Sequence, residues 1–321
     1  MPVRSIVQAA RVESAPAPYD TLALRLFYPA PEVIGPTERE TGLLPPQADA
    51  APFPVVIFFP GVNCPDHVYH WLAIDLAARG LAVVTFNWVA ENLPGRISLT
   101  PGIRRDRLTP DTYGSGPSSS SLPAVLEALG RIQGQSILAG KLDLTGIILG
   151  GHSAGGMMAL LNADPRWLPA IVAAFAYCSS PLPTLALGGF PPGRLAPLPS
   201  AVPCLLIGAT EDGIGALHNQ TMGLPEKSGA DTIIDTFNLA ITSARGDSHL
   251  VILRGANHHT ICYPRDDTIG RTFADSPSTA DEPRLRALLA GLIGEFIAHS
   301  LTARPWQPLP ANELIALART K

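Results

Sequence analysis

The stretch Thr145-Gly146-Ile147-Ile148-Leu149-Gly150-Gly151-His152-Ser153-Ala154-Gly155-Gly156-Met157-Met158-Ala159-Leu160-Leu161 decides how this chain is read. Its first part is a short apolar, β-branched run of the kind found in strands buried on both faces. Its last part, from Ala154, has the small and apolar composition of a packed helix. Between them stands G-x-S-x-G, which predicts strand, sharp turn and helix with Ser153 at the apex. The glycines are needed because a Cβ at those positions would collide with the strand or the helix. Ser153 Oγ is therefore expected at the carboxyl end of a sheet, before a helix whose dipole and first N–H, that of Ala154, favour a developing negative charge. A phosphate-binding turn is the other use of such glycines. G-x-G-x-x-G is not matched, however, and Gly140-Lys141 is followed by Leu142 where a phosphate loop needs Ser or Thr.

The same alternation continues on either side. Val55-Val56-Ile57-Phe58-Phe59 reads as a buried strand closed by Pro60-Gly61. Trp71, Leu72, Ile74, Leu76 and Ala77 then follow a helical spacing, and Gly80 is placed to end that helix. Further strands are expected at 81–86, 145–150, 171–177, 204–208 and 249–254, after two alternating stretches at 5–12 and 21–28. Helices are expected after the serines of 118–121, from Ala154, and over 282–302. Strands alternating with helices predict an α/β fold, a mainly parallel central sheet with helices on both faces, because parallel neighbours need crossovers. We read 1–304 as a single domain with insertions at 87–116, 179–201 and 213–247, of the kind that form lids or pocket walls over a site. Residues 305–321 read as a tail, a Pro-rich link followed by helical spacing over 312–319.

A serine hydroxyl becomes a nucleophile when a histidine takes its proton and an acid orients that histidine. Around such an elbow the chain order is Ser, acid, His. After the strand Cys204-Leu205-Leu206-Ile207-Gly208 come Glu211 and Asp212; Asp212 is the expected acid and Glu211 its nearest substitute. After Val251-Ile252-Leu253-Arg254 come His258 and His259; His258 is the expected base and His259 a neighbour lining the pocket. The second oxyanion donor is expected on the loop after the first buried strand, where Gly61 permits close approach and the Val62 N–H pairs with that of Ala154. Asn63 lies on the pocket rim. Gly61, Asn63, His152 and His259 are thus the expected substrate-side residues.

These blocks resemble the α/β-hydrolase family. The resemblance covers about Pro54 to Thr302 and rests on Pro60-Gly61, on Leu76-Ala77-Ala78-Arg79-Gly80, on Gly151 to Gly156, on Gly208 to Asp212 and on Gly255-Ala256-Asn257-His258. Within the family the chain is similar to the branch of cutinase-like polyester hydrolases, platelet-activating-factor acetylhydrolases and dienelactone-hydrolase-like proteins. Dienelactone hydrolases carry a cysteine nucleophile where this chain has Ser153, and polyester hydrolases are exported and disulfide-bonded. Similarity to chlorophyllases runs from Tyr69 to Val84, but their elbow has Arg where this one has Ala154. The resemblance implies a serine hydrolase of carboxylic esters, and the insertions, rich in Leu, Pro, Phe and Gly, suggest an apolar pocket and hence a hydrophobic acyl or alcohol group. A chlorophyllase-like enzyme, a thioester hydrolase or acyltransferase, and a non-catalytic binding protein on the same fold are the alternatives.

Composition narrows the field. Charged residues make up 16% and hydrophobic residues 46% of the 321, which excludes intrinsic disorder for most of the chain. A net charge of −4 leaves no basic footprint for nucleic acid. Four widely spaced cysteines without a CxxC pair suggest neither a zinc site nor a disulfide framework, and no metal or cofactor is expected. No secretory signal or run of about 18 apolar residues is seen, so a cytoplasmic protein without a transmembrane segment is expected, its partner a small-molecule ester. The sequon Asn219-Gln220-Thr221 is discounted.

Overall fold

A computed structural model describes the chain apart from residues 33, 94, 182–189, 192–194, 269, 303, 305 and 307–311. In chain order its elements are β1 (Val3–Arg11), β2 (Thr21–Pro29), α1 (Pro36–Thr41), β3 (Phe53–Phe59), α2 (His70–Ala78), β4 (Ala82–Asn87), β5 (Val89–Leu93), β6 (Arg96–Leu99) and α3 (Ser121–Gln135). There follow β7 (Leu142–His152), α4 (Ala154–Leu161), β8 (Ile171–Tyr177), β9 (Cys204–Glu211), α5 (Gly213–Thr221), α6 (Gly229–Asp235), β10 (His249–Asn257), α7 (Glu282–Thr302) and β11 (Ile315–Thr320).

Nine strands form one sheet in the order β1-β2-β4-β3-β7-β8-β9-β10-β11. From β4 to β10 every neighbouring pair is parallel, whereas β1 with β2, β2 with β4 and β10 with β11 are antiparallel. The wholly apolar strands are explained by two cores, one on each face. Val55, Ile57 and Phe59 of β3 and Leu149 of β7 pack with Val125 and Leu129 of α3, Met157 of α4 and Ile233 of α6. Val56, Phe58 and Ile148, one position out of phase, pack with Leu72 and Leu76 of α2 and with Leu289 and Ile293 of α7. A strand with helices on both sides has no polar face to present. Helix α7 is long and apolar enough by length and composition to cross a membrane, but here Leu285, Leu289, Ile293 and Phe296 are buried in this second core.

Two local expectations are corrected. The helical spacing over 312–319 is a strand: β11 pairs antiparallel with β10, Ile252 opposite Leu317 and Val251 opposite Ala318. A short apolar run fits either period, and the open edge of β10 supplies the hydrogen bonds that decide it. The insertion at 213–247 carries α5, α6 and a π-helical turn, Thr236–Ala240. The serines before α3 do not cap it at the N-cap position; Ser121 Oγ instead donates to Pro101 O at 2.7 Å, and Ser119 Oγ accepts the Leu122 N–H at 3.3 Å. Asn219 is fully buried, donating to the carbonyls of Lys227 and Ser228 and accepting from Thr232, so it folds α5 onto α6. Insertion 87–116 carries the β5–β6 hairpin, while much of 179–201 lies outside the described residues.

Candidate active site

Because β3, β7, β9 and β10 are parallel, the loops that follow them open at one edge of the sheet, where ligands of such folds bind. Ser153 stands directly after β7 with φ 54° and ψ −126°, a conformation that non-glycine residues rarely adopt and that costs about 1–3 kcal/mol. The surrounding glycines have no room for side chains. A Cβ on Gly151 would lie 2.4 Å from Gly155 O, one on Gly155 2.3 Å from Phe59 O, and one on Gly156 2.7 Å from Ser179 Cβ. Ser153 N–H donates to Tyr177 O at 3.0 Å, and Ser179 Oγ donates to Ser153 O at 2.6 Å. The turn is thus held from β3 and from β8. The Ser153 hydroxyl is half-buried and makes no hydrogen bond among the described residues.

Asp212 and His258 meet across the loops after β9 and β10, with Asp212 Oδ1 2.9 Å from His258 Nδ1 and both side chains buried. Asp212 also caps α5: its carboxylate accepts the Gly215 N–H at 2.7 Å, so helix cap and histidine partner are the same group. Glycines again make room, since a Cβ on Gly229 would fall 2.7 Å from Asp212 Cβ. Burial pushes the Asp212 carboxyl up, but His258, the Gly215 N–H and the Cys178 thiol hold it below its ordinary value. As a carboxylate it only accepts, so His258 Nδ1 carries the hydrogen and Nε2 is left as the basic atom. Glu211 takes no part in this pair; its carboxylate accepts from Thr210 Oγ1 at 3.1 Å.

On the loop after β3, Gly61 to Cys64 close a turn through the Cys64 N–H to Gly61 O bond at 3.1 Å, with Asn63 at φ 59°. Gly61 N–H donates to Tyr69 Oη, Asn63 N–H to Leu99 O in the β5–β6 insertion, and Cys64 N–H to Gly61 O. The Val62 N–H is the uncommitted donor of this turn among the described residues. Ala154, the first residue of α4, has no acceptor in its own helix. Asn63 is exposed, as a rim residue would be.

His152 departs from the expectation of a pocket-lining residue. Its ring is fully buried, so substrate does not reach it. Nδ1 lies 2.9 Å from Tyr69 Oη, and Nε2 lies 3.0 Å from His258 O. Burial lowers its pKa to about 4, so the ring is neutral. A carbonyl only accepts, so Nε2 carries the hydrogen, Nδ1 accepts from the Tyr69 hydroxyl, and that hydroxyl accepts from Gly61. His259 is also withdrawn from the surface, its Nδ1 2.9 Å from Asp275 Oδ2. Burial opposes the imidazolium, but the Asp275 hydrogen bond and the Cys64 sulfur raise His259 to about 9.

Four supporting residues were not legible in the sequence. Tyr69 joins Gly61 to His152, and Tyr177 reaches from the end of β8 to Asn257 O at 2.5 Å. Asp275 accepts from the Gly213 N–H at 3.1 Å and the His259 N–H at 3.1 Å, tying the acid loop to the base loop. Burial pushes the Cys178 thiol well up, so that as S–H it donates to Asp212. None of these four lies in a motif, and each acts across a long sequence separation.

Among the described residues, Cys64, His152 and Cys262, and separately Cys178, Asp212 and His258, bring metal-ligand types of atoms within 4.8 Å of one another. Both His152 nitrogens and the facing atoms of Asp212 and His258 are already committed to hydrogen bonds. A cavity of about 280 Å³ is lined by Leu108, Tyr113, Leu161, Asp164, Trp167 and Pro199 among others. It lies at the far end of α4 from Ser153 and contains none of the site residues.

No family model and no curated protein matches the sequence. Among solved structures, the ferulic acid esterase from Streptomyces cinnamoneus is similar with a TM-score of 0.59 and 19% identity, over 99% of this chain and 96% of that one. The likeness spans the sheet and its two helical layers from end to end, and the two proteins share a fold.

Proposed function

We propose that the chain is a serine hydrolase of carboxylic esters. The buried Asp212–His258 pair at 2.9 Å, on the same sheet edge as the strained Ser153 turn, is the observation that carries this reading. Ser153 Oγ attacks the ester carbonyl while His258 Nε2 takes its proton. Asp212 stabilises the imidazolium that results. The oxyanion is met by the N–H groups of Val62 and Ala154, each such donor being worth roughly a hundredfold or more in rate. His258 then protonates the departing alkoxide, and water releases the acyl group by the same route.

The composition of the insertions at 87–116, 179–201 and 213–247, rich in Leu, Pro, Phe and Gly, supports a hydrophobic acyl or alcohol group. The ferulic acid esterase neighbour makes esters of aromatic acids the first substrates to try.

Incubation with a fluorophosphonate followed by intact-mass measurement tests the reading. One adduct is expected on the wild-type protein and none on Ser153→Ala. Absence of an adduct on folded wild-type protein would instead favour a non-catalytic binding protein.

A further inference from the structure

Cys64 and Cys262 stand on the two loops that bring Val62 and His258 to the site, and ester hydrolysis uses neither thiol. Their sulfurs lie within 4.8 Å of each other and of a His152 nitrogen. The loops are already docked: Tyr263 N–H donates to Val68 O and Trp71 Nε1 to Ile261 O, both at 2.8 Å. Both cysteines are buried, at 5% and 7% exposure, beside Tyr69, His152 and His259. The neighbouring Cys262 thiol draws the Cys64 thiol well below its ordinary pKa, and Cys64 in turn pushes that of Cys262 well above. Cys64 is therefore the member of the pair that ionises first, beside the His259 imidazolium. A thiolate beside a cation and a second thiol is the arrangement of a reactive dithiol. Cys178 and Cys204 have no such partner, and burial raises both thiols.

We propose that Cys64 and Cys262 are a redox modification site, converted by hydrogen peroxide into a reversible disulfide that ties the Val62 turn to the His258 loop and slows ester turnover. The Cys64 thiolate attacks one peroxide oxygen, the O–O bond breaks, and Cys64 becomes a sulfenic acid. The hydroxide released takes the His259 proton and leaves as water. The Cys262 sulfur then attacks the sulfenic sulfur, and its proton leaves with the hydroxyl as a second water. Two sulfurs are oxidised by two electrons in all, and one peroxide is reduced to two waters. Cys64 Sγ is 3.7 Å from Val62 O, within the turn that presents the Val62 N–H. Drawing it from contact to bonding distance with Cys262 moves that turn, and a displacement of about 1 Å at such a donor costs on the order of tenfold to a hundredfold in rate.

The activity half of this proposal rests on the ester-hydrolase reading, whereas the disulfide does not. Full-length reduced protein is treated with hydrogen peroxide, freed of excess, and divided between a non-reducing peptide map and an ester assay. The expected result is a Cys64–Cys262 linked peptide, two fewer titratable thiols, and turnover lowered about tenfold, all restored by dithiothreitol. In Cys262→Ser, peroxide should give no link, and Cys64 should instead be recovered as its sulfenic acid or a higher oxide. Should that variant fail to fold, the wild-type map and the dithiothreitol reversal decide alone. Recovery of Cys64 and Cys262 as unlinked peptides after peroxide would overturn the site, and a link with unchanged turnover would overturn the coupling. A protein that forms the link but hydrolyses no ester and takes no fluorophosphonate would keep the site and sink the enzymatic reading.

Discussion

Tyr69 shows how one hydroxyl serves three loops. It accepts from the Gly61 N–H at 3.1 Å and faces His152 Nδ1 at 2.9 Å, while His152 Nε2 holds the carbonyl of His258. The turn carrying Val62, the elbow carrying Ser153 and the loop carrying His258 are thereby linked through one neutral ring. Tyr69→Phe removes the shared group, leaves a buried N–H without a partner, and frees His152 to take the other tautomer. A stability loss of about 1–3 kcal/mol is expected from the orphaned donor, measured by urea unfolding. On the proposed hydrolase reading, kcat for a soluble ester falls while KM stays nearly constant. An equal change in both, or none, would confine Tyr69 to a packing role. Ser153, Asp212 and His258 were legible in the sequence because each follows a recognisable buried strand. Tyr69 was not, because its partners lie 8 and 83 residues away.

Among the elements, the junction of β7 with α4 is the least tolerant of change. Its glycines face backbone of β3 and of α4 itself, and backbone cannot rotate aside as a side chain can. Gly155→Ala places a Cβ 2.3 Å from Phe59 O and 2.4 Å from Pro60 O. The loss expected is about 3 kcal/mol or more, seen as a lowered urea midpoint or as failure to fold. Gly130, on α3 with nothing within 4 Å of its would-be Cβ, is the control: Gly130→Ala should stabilise by up to about 1 kcal/mol. Equal effects at the two positions would contradict this account of the elbow. At the other extreme stands β11. Its short apolar run has no strong period of its own, and it takes its conformation from the edge of β10.

For the whole molecule, the buried titratable groups shape stability against pH in opposite directions. His152 is lowered to about 4 against an unfolded value near 6.5, so the unfolded chain takes up its proton first. Stability is therefore lost as pH falls from about 6.5 towards 4. The lowered Asp212 adds to this acid loss, its share present above the unfolded carboxyl value and lost as pH falls through the folded one. His259 is raised to about 9, so its contribution is complete below about 6.5 and is lost as pH rises through 9. Cys64 is lowered over the same range, and the proton it gives up offsets the one His259 holds, so the alkaline arm is read in Cys64→Ser, where urea unfolding should show a maximum near pH 6.5 with each arm on the order of 1–3 kcal/mol. Adding His259→Asn to that variant should flatten the alkaline arm and leave the acid one. An unchanged alkaline arm in that variant would show that His259 is not held as a cation by Asp275.

The sequence by itself determined the α/β class, the parallel run of buried strands and the elbow at Ser153, since these follow from residue spacing over short stretches and from glycines whose need is local. It also placed Asp212 and His258 after their strands, because parallel strands bring all such loops to one edge. Only the tertiary structure decided that Asp212 both caps α5 and holds His258, that His152 is buried beneath His258, that Cys64 faces Cys262, and that 315–320 is a strand. Each of these depends on contacts between segments far apart in the chain, where burial and an unmatched hydrogen-bonding edge outweigh any local preference.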